Sequence, residues 1–406
     1  MNSPFITIVV PTRDRCETLG ATLKTCVSQD YDALQILVSD NASEDKTCDV
    51  VRAISDPRIR YINPKRRLSM TGNFEFALAH VQRGYVISIG DDDGMMPGSL
   101  QLMADIVLQT GLKAVTSTSV YYVWPNFPAE HMRNYMLIRD TRKGFSVLDG
   151  MCEAEKRASF RADTHRYVWG LPTVYRGLVS TDIIDLARKN GRYFHSVTPD
   201  AYSGFVNCFH LNRYACLREP LTIEGVSGRS NGAAQLIAKD RSEEVRYLQE
   251  NDIAFSSELR YAPAAPIILA EAFLQARAQF PDATSNIDFN IGRVCRQALR
   301  EAGLGPNSDR VKNAVAEICR LHEIQTPPRM SVGDFTNELL TRISDIFQMC
   351  ELDCTPFEVH DVYDASVIAN RILTDVDFTA GISGIRLLGT KFVRGFRRAI
   401  ARKRTA

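Results

Sequence analysis

Short apolar runs alternate with amphipathic stretches over the first 120 residues of the chain. The apolar runs are rich in β-branched residues, and they predict strands at Phe5–Val10, Leu34–Ser39, Ile59–Ile62, Val86–Ile89 and Ala114–Val120. The stretches between them carry apolar residues at every third or fourth position and predict helices at Cys16–Ser28, Ser43–Ile54, Gly72–Gln82 and Pro97–Thr110, with Ser43 as an N-cap. Strands and helices in this alternation are typical of a mostly parallel sheet with helices on its faces.

Residues 121–225 are less regular. Their pattern predicts strands at Val174–Val179 and Leu217–Ile223, a helix at Thr181–Asn190 and another helix that opens at Thr198. The polar stretch Gly225–Gly232 fits a linker and a mobile lid equally well.

Beyond about residue 240 the pattern becomes helical, with helices predicted at Glu243–Glu250, Pro266–Gln279, Ile291–Ala302, Arg310–Leu321 and Val332–Cys350. Residues 381–406 differ again. They contain eight Lys or Arg residues and no acidic residue, and the basic residues surround a stripe of apolar residues at helical spacing. Such a helix suits an anionic membrane surface, and a solvated or disordered end is the alternative. The sequence therefore predicts an α/β domain over 1–232, a helical region over 233–380 and a basic amphipathic tail over 381–406.

The composition is that of an ordinary globular protein. Of the 406 residues, 45% are hydrophobic and 24% are charged, and the net charge of +1 argues against a nucleic-acid partner held by bulk charge. The ten cysteines form no CxxC pair, which favours reduced thiols and a cytoplasmic location. The sequence shows no signal-peptide pattern and no apolar run near the roughly 20 residues that a membrane-spanning helix needs.

Polar side chains follow three of the predicted strands where each strand ends. Thr12 and Arg13 follow the first strand, Asp40 and Asn41 follow the second, and three consecutive aspartates, 91–93, follow the fourth. Parallel sheets bind ligands at the carboxyl ends of their strands, so these residues predict a shared site. Three adjacent carboxylates repel one another, and a hard divalent cation with oxygen ligands would relieve that repulsion. Asp40 taken alone is equally consistent with a turn or cap.

Four segments carry a resemblance to a known family: ITIVVPTRDR, LVSDNASEDKT, TGNFEFAL and GDDDGMMPGSL. In order and separation they resemble family 2 glycosyltransferases, strongly over residues 4–120 and moderately over 168–205. The resemblance implies a GT-A type, Rossmann-like nucleotide-binding domain. It also implies inverting transfer of a sugar from a nucleoside diphosphate donor, with a UDP-sugar favoured. The acceptor would be a hydroxyl of a glycan or of a lipid-linked molecule in cell-surface polysaccharide or lipopolysaccharide assembly.

The resemblance also assigns roles to individual residues. It implies a nucleotide site formed by Pro11, Thr12, Arg13, Asp40, Asn41, Ser43 and Asn73. Asp91 and Asp92 would face the ribose and the sugar, and Asp93 would be a ligand of Mn²⁺ or Mg²⁺. Asp200, in Thr198-Pro199-Asp200, matches the general base that deprotonates the acceptor hydroxyl. A helix-cap role is the alternative for Asp200, and Asp163 and Asp182 are weaker candidates for the base.

Two other functions compete with this interpretation. A sugar-phosphate nucleotidyltransferase usually has a glycine-rich loop after its first strand, whereas residues 11–16 contain no glycine. A non-catalytic nucleotide-binding protein would not need the three aspartates together with Asp200. For the remaining regions, we expect the helical region to bind the acceptor or to form a homo-oligomer. We expect the tail to make peripheral contact with the inner face of a membrane.

Overall fold

The computed structural model describes residues 3–161, 170–230, 242–303, 305–336 and 349–375. The tail predicted at 381–406 and the candidate base Asp163 lie outside these ranges. Within them, no helix combines the length and the hydropathy that crossing a membrane requires.

Four parallel strands form the first part of the sheet, in the order β3-β2-β1-β4. They are β1 (Ile6–Thr12), β2 (Leu34–Asp40), β3 (Ile59–Ile62) and β4 (Tyr85–Ser88), and the helices between them are α1 (Cys16–Val27), α2 (Thr47–Arg52) and α3 (Met70–Leu78). The predicted alternation is therefore confirmed over this part of the chain. The predicted N-cap is wrong, because α2 begins at Thr47 with Lys46 before it.

Both faces of this sheet are buried, which explains the continuous apolar runs. Ile8 and Val10 of β1 pack into a core with α1 and α4, whereas Val9 points to the opposite face and joins a second core. Neighbouring residues of a strand point to opposite faces, so a strand covered on both sides must be apolar throughout.

The second part of the sheet is mixed. It contains β5 (Gly94–Met95), α4 (Ser99–Thr110), β6 (Ala114–Val123), β7 (Tyr135–Ile138), β8 (Phe145–Asp149), α5 (Gly150–Ala158), β9 (Leu178–Ser180), α6 (Thr181–Ala187), α7 (Pro199–His210) and β10 (Arg213–Val226). Strand β9 lies antiparallel between β4 and β6, while β10 runs parallel to β6 and antiparallel to β5 and β8. The run predicted as a strand at Val174–Val179 forms a strand only from Leu178 onward.

The described part of the region after residue 240 is mostly helical, as predicted. Of the helix predicted at Val332–Cys350, residues 337–348 lie outside the described ranges, and Cys350 belongs to a strand. It contains α8 (Ser242–Glu250), α9 (Ala265–Gln279), α10 (Pro281–Thr284), α11 (Ile291–Ala302), α12 (Ser308–Leu321), β11 (Cys350–Asp353) and α13 (Val362–Thr374). Strand β11 pairs antiparallel with β7 and so joins the central sheet. Helix α13 packs beside α1, where Lys24 Nζ lies 3.9 Å from the ring centroid of Tyr363. The region predicted as helical over 233–380 thus also adds a strand to the central sheet.

Candidate active site

The carboxyl ends of β1, β2 and β4 meet at one edge of the sheet. Thr12 lies opposite Asp40 in the β1–β2 register, and the Asn41 N–H donates to the Thr12 carbonyl at 2.9 Å. Just beyond β1, Arg15 Nη1 lies 3.4 Å from Asp91 Oδ1 and 3.7 Å from Asp92 Oδ2. The structure therefore brings together the strand-end residues that the sequence predicted to share a site.

The three aspartates are buried, and their charges are incompletely balanced. Their exposed fractions are 7%, 5% and 2% from Asp91 to Asp93. Burial raises the pKa of Asp91 to about 6, with Arg15 acting against the shift and Asp92 adding to it. Burial also raises the pKa of Asp93 to about 7, opposed by the charge of Arg176. A site of this kind gains stability from further positive charge.

Hydrogen bonds from three different parts of the chain fix Asp93. Asp93 Oδ2 accepts from the Gly90 N–H at 3.0 Å and from Tyr175 Oη at 2.7 Å, while Oδ1 accepts from the Gly225 N–H at 2.9 Å. Asp92 is fixed in a similar way, because its Oδ2 accepts from the Ser227 hydroxyl at 2.6 Å. The stretch predicted to be a linker or a lid therefore begins as part of β10 and of this site.

The donor atoms here fit a hard divalent cation. Within the described ranges, no group of three acidic, His or Cys side chains converges on one metal position. Mg²⁺ is commonly held by one or two carboxylates together with substrate phosphates, and Asp91 to Asp93 supply oxygen ligands only. The three hydrogen bonds of Asp93 occupy three of its roughly four lone-pair positions, so Asp93 has room for one further bond, such as a bond to a metal ion. Because few protein oxygens are available here, the residues present fit a cation that is shared with a phosphate-bearing ligand.

The residues predicted to surround the nucleotide base are held by contacts within the protein. Asp40 accepts from the Ser43 N–H at 3.0 Å, from Asn63 Nδ2 at 3.2 Å and from the Tyr61 hydroxyl. Asn41 donates to and accepts from the backbone of Leu68. These bonds give the edge of the sheet a fixed shape before any ligand is present.

The other predicted nucleotide residues divide between the two sides of this edge. Asn73 Nδ2 and Oδ1 bond to the backbone and the hydroxyl of Ser39, the residue that lies opposite Pro11. The hydroxyl of Ser43 accepts from the Asp14 N–H at 2.8 Å. Arg13 instead extends to the helical region, where its Nη1 donates to Glu250 Oε2 at 2.5 Å.

The predicted base and its weaker alternative lie in different environments. Asp200 is partly buried in the first turn of α7, close enough to Arg176 for that charge to act on it. Burial raises the pKa of Asp200, although the Ala201 N–H and Arg176 act in the opposite direction. Asp182 lies on the exposed surface, where it pairs with Arg83 at 3.4 Å and with Lys113 at 3.1 Å. Of these two candidates, Asp200 is the one that shares a charged neighbour, Arg176, with Asp93.

Several site residues escaped the sequence analysis: Arg15, Tyr175, Arg176, Glu224 and Ser227. Each is separated from Asp91 to Asp93 by 70 or more positions in the chain. The available signal was a polar pair, Tyr175-Arg176, inside a run otherwise predicted to be a strand.

Comparison with known proteins shows similarity to one family over the first part of the chain. Residues 7–168 match the model of glycosyl transferase family 2. Over 103 residues the chain is 32% identical to a GalNAc(5)-diNAcBac-PP-undecaprenol beta-1,3-glucosyltransferase of Campylobacter jejuni, covering 25% of this chain and 33% of the relative. Over 123 residues it is 25% identical to the Escherichia coli UDP-Glc:alpha-D-GlcNAc-diphosphoundecaprenol beta-1,3-glucosyltransferase WfaP, covering 30% of this chain and 48% of that protein. The matches span less than half the length of these relatives.

Solved structures with a similar chain trace are more distant in sequence. TarS residues 1–349 of S. aureus, in complex with UDP-GlcNAc, is 15% identical with a TM-score of 0.44, covering 84% of this chain and 92% of that one. The mannosyltransferase PcManGT of Pyrobaculum calidifontis, with GDP-Man and Mn²⁺, is 15% identical with a TM-score of 0.40, covering 93% of this chain and 89% of that one. The match over residues 7–168, which includes the three strand ends and all three aspartates, shows that this part of the chain is similar to glycosyl transferase family 2.

Proposed function

We propose that this protein is an inverting glycosyltransferase that moves one sugar from a nucleoside diphosphate sugar to a hydroxyl of a glycan or lipid-linked acceptor. The observation that carries the proposal is the meeting of Asp91 to Asp93 with Thr12 and Asp40 at the strand ends of a family 2 domain. The names of two relatives, which specify undecaprenol-linked diphosphate substrates, support a lipid-linked acceptor in cell-surface polysaccharide synthesis.

The donor would bind along the carboxyl ends of the strands. Pro11, Thr12, Asp40 and the residues held around them would form the base pocket, with UDP as the favoured nucleotide. Arg15 lies between this pocket and the aspartates, where a guanidinium can contact a phosphate. We assign the diphosphate to the space beside Arg15.

Mn²⁺ or Mg²⁺ would be held by the carboxylates of Asp91 to Asp93 together with the donor phosphates, with Asp93 as the ligand that the family resemblance implies. When bound, the ion would neutralise charge that develops on the departing diphosphate. The chain's own part is to hold these carboxylates in place through Gly90, Tyr175 and Gly225.

Asp200 would remove the proton from the acceptor hydroxyl while that oxygen attacks the anomeric carbon and the bond to the diphosphate breaks. Attack from the face opposite the leaving group inverts the configuration. Burial raises the pKa of Asp200, and a raised pKa brings a carboxylate closer to the operating pH, which makes it a more effective base.

We further propose a cytoplasmic protein that binds the inner face of the membrane peripherally through residues 381–406. The helical region would contribute to acceptor binding or to a homo-oligomer. Flotation with anionic vesicles tests the membrane contact, because a chain that ends at residue 380 should lose binding while the full chain keeps it. Equal flotation of the two chains would refute this part of the proposal.

The activity is tested by release of nucleoside diphosphate from a panel of UDP- and GDP-sugars in the presence of Mn²⁺. We expect one donor to be turned over, and we expect a chelator to lower the rate. Asp200→Asn should lower kcat by about 10²- to 10⁴-fold, the usual contribution of a general base. Asp182→Asn is the matched control and should leave the rate unchanged, because Asp182 lies on the exposed surface. Turnover of no donor, or full activity of Asp200→Asn, would refute the proposal.

A further inference from the structure

A three-residue segment, 174–176, lies beside the end of β4. The Ser88 N–H donates to the Val174 carbonyl and the Arg176 N–H donates to the Ser88 carbonyl, both at 2.7 Å. Arg176 has φ of 65°, in the left-handed region, so the chain turns away before β9 begins. A non-glycine residue in this conformation costs about 1–3 kcal/mol, and such conformations concentrate at functional sites.

Two pairs of neighbouring residues, 175–176 and 224–225, lie on either side of the Asp93 carboxylate and hold it in place. Tyr175 donates its hydroxyl and Gly225 its N–H to the Asp93 carboxylate. The residues next to these donors, Arg176 and Glu224, pair with each other, with Nη1 and Oε2 2.7 Å apart. Their side chains are 17% and 29% exposed, so the ion pair borders the open part of the site.

The same segment is bonded to the helix that carries Asp200. The Val174 N–H donates to the Ser203 hydroxyl at 3.2 Å, and that hydroxyl donates to the Asp200 carbonyl at 2.7 Å. Segment 174–176 therefore lies between Asp93 and the first turn of α7. The charge of Arg176, within this segment, acts on both Asp93 and Asp200.

We propose that Arg176 is a positioning residue that holds Asp200 in register with the three aspartates, and that Glu224 fixes the orientation of its guanidinium. This inference rests on the proposed function, in which Asp200 meets the acceptor and the aspartates meet the donor. Segment 174–176 is bonded to the Asp93 carboxylate through Tyr175 and to the Asp200 backbone carbonyl through Ser203, so it sets the distance between the donor side and the acceptor side of the site. Arg suits this role because its planar guanidinium presents donors in a fixed geometry, which the paired Glu224 can orient.

The test compares Arg176→Gln and Arg176→Lys with wild type in the nucleoside diphosphate release assay. Arg176→Gln should lower kcat about 10- to 100-fold, the usual effect of misplacing a reacting group, with the donor KM within about twofold. Arg176→Lys keeps the charge and should recover part of the loss. Arg157→Gln is the control, because Arg157 is 16% exposed, similar to Arg176, and pairs with Glu153 at 3.3 Å in a different part of the domain. The kcat of this variant should match that of wild type.

Hydrogen exchange provides a readout that does not depend on activity. Arg176→Gln should speed amide exchange in the first turn of α7 and leave exchange in α1 unchanged. If Arg176→Gln fails to fold, Glu224→Gln takes its place in the test. The inference then predicts a lower kcat for Glu224→Gln, with the donor KM within about twofold of wild type. A kcat within about twofold of wild type, or unchanged exchange at the start of α7, would overturn the inference. If wild type turns over no donor, the proposed function fails, and the exchange result alone decides the positioning role.

Discussion

Gly225→Ala gives a direct measure of how tightly β10 is packed against the aspartates. A Cβ built on Gly225 would lie 1.7 Å from the Asp92 carbonyl oxygen and 2.7 Å from the indole nitrogen of Trp124. The closest atom belongs to the backbone and cannot rotate away, so β10 must move and the bond from the Gly225 N–H to Asp93 must lengthen or break. We therefore expect a large loss of stability at this position.

The size of the loss follows from two effects. Overpacking of a buried site costs about 1–3 kcal/mol, and loss of a hydrogen bond to a charged group costs about 1.5–3 kcal/mol. Gly225→Ala should thus lower the free energy of unfolding by about 3–6 kcal/mol, a large part of the usual 5–15 kcal/mol. Urea unfolding followed by circular dichroism measures the loss, and titration with UDP should show weaker binding because Asp92 and Asp93 are displaced.

Gly20→Ala is the matched control. Its Cβ would lie 3.5 Å from Val50 Cγ1, an ordinary contact, and Gly20 lies inside α1. Replacing a helical glycine with alanine should raise stability by about 0.5–1 kcal/mol. A loss of less than about 1 kcal/mol for Gly225→Ala would refute the reasoning about close packing at this position.

Three further predictions concern other parts of the molecule. Burial acts to raise the pKa of Asp45, but hydrogen bonds from Thr47 and Cys16 lower it to about 2. The folded pKa is below the unfolded value of 3.8, so the stability difference between wild type and Asp45→Asn should be constant above about pH 4 and shrink toward pH 2 in urea unfolding. Ser227→Ala removes the 2.6 Å hydrogen bond to Asp92 and should cost about 1.5–3 kcal/mol by the same assay. Phe273→Ala should cost about 3–5 kcal/mol in thermal or urea unfolding, because this ring is fully buried and lies 5.2 Å from the ring of Phe205.

Each of these predictions has a clear contrary outcome. A pH-independent difference for Asp45→Asn would mean that its hydrogen bonds persist in the unfolded chain. Full stability of Ser227→Ala would show that water replaces the hydroxyl. A small loss for Phe273→Ala, similar to that of the exposed Leu186→Ala, would show that α9 does not stabilise α7.

The strands and helices of the first 120 residues could be predicted because local pattern and burial agree there. Ile59–Ile62 was predicted to the residue, and the ends of β1, β2 and β4 were placed within two residues. The predicted strand Val174–Val179 was wrong over its first four residues. Arg176 adopts a left-handed conformation and pairs with Glu224, which lies 48 positions later, and no local pattern encodes that contact.

The candidate site, like the fold, could be predicted from the sequence only in part. Asp40 and Asp91 to Asp93 were found from sequence because they directly follow apolar strands. Arg15 and Glu224 were missed, because their importance depends on contacts with residues that are 76 and 48 positions away, Asp91 and Arg176. Tertiary electrostatics of this kind leave no periodic pattern in one sequence. The roles of the individual nucleotide, metal and base residues remain predictions.

Strand β11 and helix α13 return to the sheet and to α1 from the far end of the described chain. A ribosome releases the N-terminal strands long before residues 350–374 emerge. During that interval the outer edge of β7 and one face of α1 lack their partners, and an open strand edge invites pairing with other chains. The newly made protein therefore needs protection from aggregation until its last elements arrive, and shortened chains that end before residue 350 should accumulate as aggregates.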